Sequence, residues 1–156
     1  TVVIFSQQAF VSFAANSGDS NSEFKTETQW QEAHDQNPVH IFPSMKRISS
    51  SGEFTYDFSY SLTSDKFKLK SGSANTTIST DSTGDSSAPT KNFSITLYEK
   101  SGLVYASKGA KTFPINGAKS NKWTSLTSGS TYYFELTVNN VSVKGAGSIS
   151  NFKEVV

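Results

Sequence analysis

Between residues 52 and 64 the chain reads "GEFTYDFSYSLTS", with Phe54, Tyr56, Phe58, Tyr60 and Leu62 alternating with Thr55, Asp57, Ser59, Ser61 and Thr63. A repeat of two puts rings on one side of an extended backbone and polar groups on the other, an arrangement that a helix cannot reproduce. This stretch is therefore strand, and its apolar side needs a second apolar layer to cover it. The same rhythm returns in "STYYFELTV", where Tyr132, Phe134, Leu136 and Val138 face inward and Tyr133, Glu135 and Thr137 face outward or toward a second layer. In "NFSITLYEK" it places Phe93, Ile95 and Leu97 inward.

Turn signals separate these runs. Glu99-Lys100-Ser101-Gly102 reads as a hairpin corner, Asn139-Asn140 as a hairpin turn, and Ser64-Asp65 as a tight turn before "KFKLK". With "TVVIFSQQAFVSFAA" at residues 1–15, "KTFPI", "KWTSL", "VSVKGAGSIS" and a weak strand at Thr76–Thr80, about nine or ten strands are expected at spacings of roughly 8 to 12 residues. Residues 16–23 and 81–91 read as loops. The expected fold is an all-β, antiparallel, jelly-roll-like β-sandwich. One helix is expected near residues 28–36, with Thr28 and Gln31 at capping-box spacing and Pro38 ending it.

Composition agrees with this reading. The 44 serines and threonines suit strand surfaces and turns, while twelve Phe and six Tyr supply the core of a chain only 35% hydrophobic. At 156 residues a single domain over 1–156 is expected, with residues 1–50 adding strands and the helix to a main sandwich at 52–152.

Net charge is +1, so no summed field gathers nucleic acid. No run approaches the roughly 18 to 20 apolar residues of a spanning helix, and membrane insertion is not expected. Zero cysteines and a start at Thr1 fit a mature, secreted bacterial chain, which is expected to be monomeric. Three Asn-x-Ser/Thr sequons, at Asn75, Asn92 and Asn140, are no more than this Ser/Thr content produces by chance.

From Gly129 through the pair Tyr132-Tyr133, the alternating strand, Asn139-Asn140 and the strand carrying Gly145 and Gly147, the sequence resembles bacterial prepeptidase C-terminal domains. The upstream "FSITLYEKSGLVYAS" resembles the hairpin of those domains, and the likeness spans residues 53–150. It implies a jelly-roll sandwich and a non-catalytic module of secreted enzymes, some relatives of which bind collagen or calcium. The chain departs from that pattern in having no enzyme attached and about 50 further N-terminal residues, which weakens any transfer of function.

Candidate chemistry is sparse. There is no cysteine and no Gly-x-Ser-x-Gly, and Asp57, the most unusual carboxylate, falls on the polar side of its strand. No catalysis and no cofactor are expected. His34 and His40, with Glu32 and Asp35 nearby, have the residue types for zinc or nickel, but Pro38 prevents both histidines from sharing a helical face. Surface or capping histidines, and no metal, are expected. The loops "NSGDSNSE" and "DSTGDSS" do not match a twelve-residue calcium loop.

Lys66, Lys68 and Lys70 read as guards of an edge strand. Trp123, beside Asn121 and Lys122, combines a flat ring with hydrogen-bonding neighbours suited to sugars, and Trp30 and Tyr133 are further ring surfaces. The expected function is a secreted, non-catalytic module binding carbohydrate or another cell-envelope polymer. A secreted protein-interaction role, as inhibitor, adhesin or effector, is the alternative.

Overall fold

The alternation at 53–63 forms strand, but it serves two sheets. In the computed structural model residues 24–42 and 52–156 are described, so the strands expected within 1–15 and the loop at 16–23 lie outside the described residues. The elements are β1 (Phe24–Thr26), α1 (Glu27–Gln36), β2 (Pro38–Val39), β3 (Ile41–Phe42), β4 (Glu53–Phe58), β5 (Ser61–Ser64) and β6 (Phe67–Leu69). There follow β7 (Thr76–Gly84), β8 (Asn92–Ser101), β9 (Val104–Pro114), β10 (Gly117–Trp123), β11 (Thr131–Thr137), β12 (Val143–Ile149) and β13 (Phe152–Val155).

Eight strands form one sheet, ordered β1-β9-β8-β11-β5-β2, with β6 continuing alongside β11 and β13 beyond it. Five form the other, ordered β10-β7-β12-β4-β3. The molecule is thus a β-sandwich, with thirteen strands among the described residues rather than nine or ten. Pairing is antiparallel except between β2 and β5, where main-chain bonds from Thr63 to Asn37 (2.8 Å) and from Asp65 to Val39 (2.9 Å) hold a short parallel ladder.

Phe54, Tyr56 and Phe58 on β4 are buried, and the chain then crosses at Ser59-Tyr60 to the opposite sheet, where Leu62 is buried again. Tyr60, at the crossing, is 67% exposed, contrary to its place in the alternation. Phe134 on β11 meets Phe54 across the gap at 4.8 Å between ring centroids, and Phe93 on β8 meets Tyr56 at 5.7 Å. These inter-sheet ring contacts form the centre of the core.

Two turns differ from expectation and one agrees with it. Ser64-Asp65 reverses nothing: β5 and β6 both run antiparallel to β11, so they form one interrupted line. The interruption arises because the Ser64 hydroxyl accepts the Phe134 N–H at 2.8 Å and the Asp65 carboxylate is engaged elsewhere. Asn140 has the expected positive φ of 51°, yet it turns a corner between sheets, since β11 and β12 lie in different ones. The Glu99–Gly102 corner does close the β8–β9 hairpin, at Gly102-Leu103 with Gly102 at φ 66°.

The weak strand expected at Thr76–Thr80 is the nine-residue β7, which runs on to Gly84 and leaves 85–91 as the loop, with Thr76, Ile78, Thr80 and Ser82 buried on alternate positions. Small polar inward residues disguised its period.

The helix begins one residue earlier than expected, and its N-cap is Thr26, two residues before Thr28. "TETQWQ" holds two overlapping Thr-x-x-Gln frames, and the first is used: the Gln29 N–H donates to Thr26 Oγ1 at 3.1 Å while the Thr26 N–H donates to Gln29 Oε1 at 2.8 Å. Lys66 and Lys68 are not edge guards, because β6 lies between β11 and β13. Lys66 instead reaches Glu27 at 2.6 Å and lies 4.3 Å from the centre of the Trp30 ring, docking α1.

Candidate binding face

The five residues singled out as a ligand site do not converge. Trp123 is 2% exposed, its indole N–H donates to the Gly109 carbonyl at 2.9 Å, and the ring closes one end of the core. It offers no surface to a sugar. Asn121 donates from Nδ2 to the Thr112 carbonyl at 2.8 Å, tying β10 to β9.

Tyr133 does project from the outer side of the eight-stranded sheet, but α1 covers that side. It stacks on Tyr98 at 4.9 Å, touches Tyr105 at 5.1 Å, and is 2% exposed beneath Trp30. Trp30 is half-buried: its N–H donates to the Ser64 carbonyl at 3.0 Å, and His34 stacks on its ring. Alternation told which side these rings take and nothing about a helix arriving on top. Of the five, only Lys122 is exposed on a face that no described element covers.

That face is the outer side of the five-stranded sheet. Because the rings of β4 and the alternate small residues of β7 point inward, their neighbours must point outward. Register aligns them in rows. Ser120, Ser79, Ser148, Glu53 and Phe42 form the first, with the Ser79 and Ser120 hydroxyls hydrogen-bonded at 2.7 Å. Ala118, Asp81, Ala146 and Thr55 form the second, and Thr83, Lys144 and Asp57 the third.

Among the described residues several depressions lie on this face, and two of them share Thr55. One, of about 530 Å³, reaches from Thr83, Lys144 and Asp57 to Pro38 and Leu62 at the sheet edge. The other, of about 460 Å³, runs from Phe42 and Glu53 across Asp81 to Ser79. Gly145 and Gly147 are at inward register positions, where a Cβ on Gly145 would lie 2.8 Å from Tyr56 Oη and one on Gly147 2.5 Å from the Phe54 ring. Lacking a Cβ, they allow this close approach with the register of β12 unbroken. Among the described residues the face therefore offers hydroxyls, carboxylates and the ammonium groups of Lys122 and Lys144, with the Phe42 ring at its end.

Beneath α1 lies a smaller cavity of about 280 Å³, lined by Lys25, Gln29, Trp30, Thr63, Tyr133 and Glu135. Burial holds the Glu135 carboxyl above its ordinary range, with the Lys25 charge pulling partly back. A carboxyl raised in the folded state contributes most below its unfolded value and loses that contribution as pH rises through the folded one. Glu135→Gln, which cannot ionise, is accordingly expected to melt higher than the native chain at pH 7. The gain should vanish below about pH 4, where both side chains are neutral. Melts recorded between pH 3 and pH 7 check this, and an unchanged gap across that range would contradict it.

His34 and His40 were expected at the surface or as caps, on the ground that Pro38 separates them. The fold brings both to Asp65, which the sequence had marked only as a turn residue. No spacing signal could have found it, because the partners come from three different segments.

Large exposed apolar residues among those described are Phe24 on β1, Tyr60 between β4 and β5, Leu103 between β8 and β9, and Val156 after β13. No described helix is long and apolar enough to cross a membrane.

No family model and no curated protein sequence matches the chain. Among solved structures, the chain is similar to PliG of Aeromonas hydrophila, a periplasmic inhibitor of g-type lysozyme, at 14% identity, 73% coverage of this chain, 98% of that one and a TM-score of 0.40. It is similar to CBM28, a carbohydrate-binding module specific for non-crystalline cellulose, at 11% identity, 76% and 80% coverage and a TM-score of 0.44. The CBM22-1 xylan-binding domain of Paenibacillus barcinonensis Xyn10C gives 7% identity, 76% and 82% coverage and a TM-score of 0.38. At these values the architecture rests on the chain's own strand pairing, not on its neighbours.

Proposed function

We propose that the chain is a non-catalytic module that binds a neutral polysaccharide, or a similarly polyhydroxylated polymer, along the open face of the five-stranded sheet. The observation that carries this reading is a row-ordered polar surface that no described element covers, with its adjoining depressions. A surface built of Ser, Thr, Asp and Lys side chains gains little from apolar partners, whereas a polyol can return its hydrogen bonds. Each carboxylate accepts from two neighbouring hydroxyls, and each serine or threonine can donate or accept.

Charge favours a neutral ligand. Asp57, Asp81 and Glu53 share the face with Lys122 and Lys144, so neither a polyanion nor a polycation meets a field of one sign. Strands about 4.8 Å apart, with outward residues roughly 6.8 Å apart along each strand, present a lattice suited to an extended chain rather than to a compact small molecule. A ligand of this kind implies a place outside the cytoplasm.

The test is retention in native gels containing soluble glucan, xylan or mannan, with pull-down on insoluble cell wall as a second format. Asp81→Ala and Lys144→Ala are each expected to weaken binding about tenfold, the worth of one charge-assisted hydrogen bond. Both residues are exposed, so the fold should persist. Absence of retention by every neutral polymer tried, or retention indifferent to both substitutions, would remove the proposal.

A further inference from the structure

Asp65, between β5 and β6, is approached by two imidazoles. His34 Nε2, from the last turn of α1, lies 2.7 Å from Asp65 Oδ1. His40 Nδ1, from the residue between β2 and β3, lies 3.2 Å from the same oxygen and 3.4 Å from Oδ2. One ligand atom from each of the three residues falls within 4.8 Å of the others.

The surroundings orient this cluster. The Ile41 N–H donates to Asp65 Oδ2 at 3.0 Å, which holds the carboxylate and directs Oδ1 toward the imidazoles. The His34 ring stacks on Trp30 at 4.7 Å and 21° between planes, and Trp30 is itself fixed to the Ser64 carbonyl. Lys66, the neighbouring cation, is drawn away by Glu27 and the Trp30 ring. The side chains of His34 and Asp65 are 17% and 16% exposed, while that of His40 is 66% exposed.

We propose that His34, His40 and Asp65 form a site for a divalent first-row transition metal of the zinc type, with one coordination position open to solvent. Two imidazole nitrogens and one carboxylate oxygen suit Zn²⁺, Cu²⁺, Ni²⁺ or Co²⁺, whereas Ca²⁺ and Mg²⁺ require oxygen ligands throughout. Tetrahedral bonds of about 2.0 to 2.2 Å set ligand atoms roughly 3.3 Å apart. The spacings of 2.7 and 3.2 Å on Asp65 Oδ1 approach that value, and the exposed His40 has room to complete the adjustment.

Ile41 then plays the part of an outer partner, bonding the carboxylate oxygen that does not coordinate. Without metal the same groups satisfy one another as imidazole N–H donors to a shared carboxylate, so the site is assembled in advance. The open position can take water or a donor atom from a bound partner. Because the ligands come from α1, the β2–β3 link and the β5–β6 link, the ion would cross-link the helix to both sheets.

The experiment uses the chain without a polyhistidine tag, stripped with EDTA. Zn²⁺ titrated calorimetrically is expected to bind one ion per chain and raise the melting temperature, and Co²⁺ is expected to give the visible bands of a four-coordinate ion. His40→Gln, at an exposed position, should keep the metal-free melting temperature and lower Zn²⁺ affinity by about tenfold or more, at least what loss of an outer partner costs. Asp65→Asn should lower affinity as well. Failure of Zn²⁺ to saturate a single site, a preference for Ca²⁺ over Zn²⁺, or unchanged affinity in His40→Gln would each overturn the assignment.

Discussion

Phe134→Ala is expected to destabilise the chain by about 3 to 5 kcal/mol, a large part of what holds a domain of this size together. The ring is 0% exposed and sits in the middle of β11, with Phe54 at 4.8 Å across the gap between sheets and Phe67 at 6.1 Å. Removing it loses the transfer free energy of the ring and leaves a cavity bounded by two other rings, which cannot collapse without moving β4 or β6. Urea unfolding, followed by Trp fluorescence and far-ultraviolet circular dichroism, measures the loss. Leu103→Ala, at a side chain 91% exposed, provides the comparison and should change stability by under about 0.5 kcal/mol. Equal and small effects at both positions would mean that the sheets do not share an interior at Phe134.

Gly145→Ala is the second large effect, expected to cost about 3 kcal/mol for the addition of one methyl group. The reason is space, because Gly145 is not among the glycines with positive φ. An added Cβ would meet the Asp81 carbonyl on β7 and Tyr56 Oη on β4, so both flanking strands would have to shift. Tyr56 has little freedom to withdraw, since its hydroxyl bonds to the Ser82 side chain and its ring is packed between those of Phe54 and Phe58. Denaturation reads the cost, and amide spectra should show the largest changes along β7 and β12. Since Asp81 and Lys144 stand on those strands, polymer retention should fall too. Native stability in Gly145→Ala would contradict the close packing of β4, β7 and β12.

Much of the architecture was legible in local pattern. The period of two survives as alternating burial in β4 and in Phe93–Leu97 of β8, while in β11 it sets which rings face the core, and the Gly102 corner and Pro38 stop are where composition placed them. The capping motif was visible but doubly readable, and its frame was decided by which threonine could bond the third amide onward. β7 was half lost, because Thr80 and Ser82 fill inward positions that a hydrophobic pattern does not register.

The candidate site was much less legible. Trp123 and Tyr133 were chosen for the chemistry of their rings, yet both are packed away, while the open face is built from serines, threonines and aspartates that look like ordinary strand surface. Each of these residues becomes informative only through its cross-strand neighbours. Asp65 meets His34 from 31 positions away, a separation over which no local periodicity carries information.

By itself, then, the amino-acid sequence determined that this chain extends into strands and which side of each strand is apolar, because side-chain direction along a backbone is a local property. Tertiary structure alone decided which sheet each described strand joins, that α1 covers one outer face while no described element covers the other, and that two histidines and an aspartate meet. Those outcomes depend on hydrogen-bonding and packing partners brought together from distant parts of the chain, and the periodicity of a single segment does not encode who its neighbour will be.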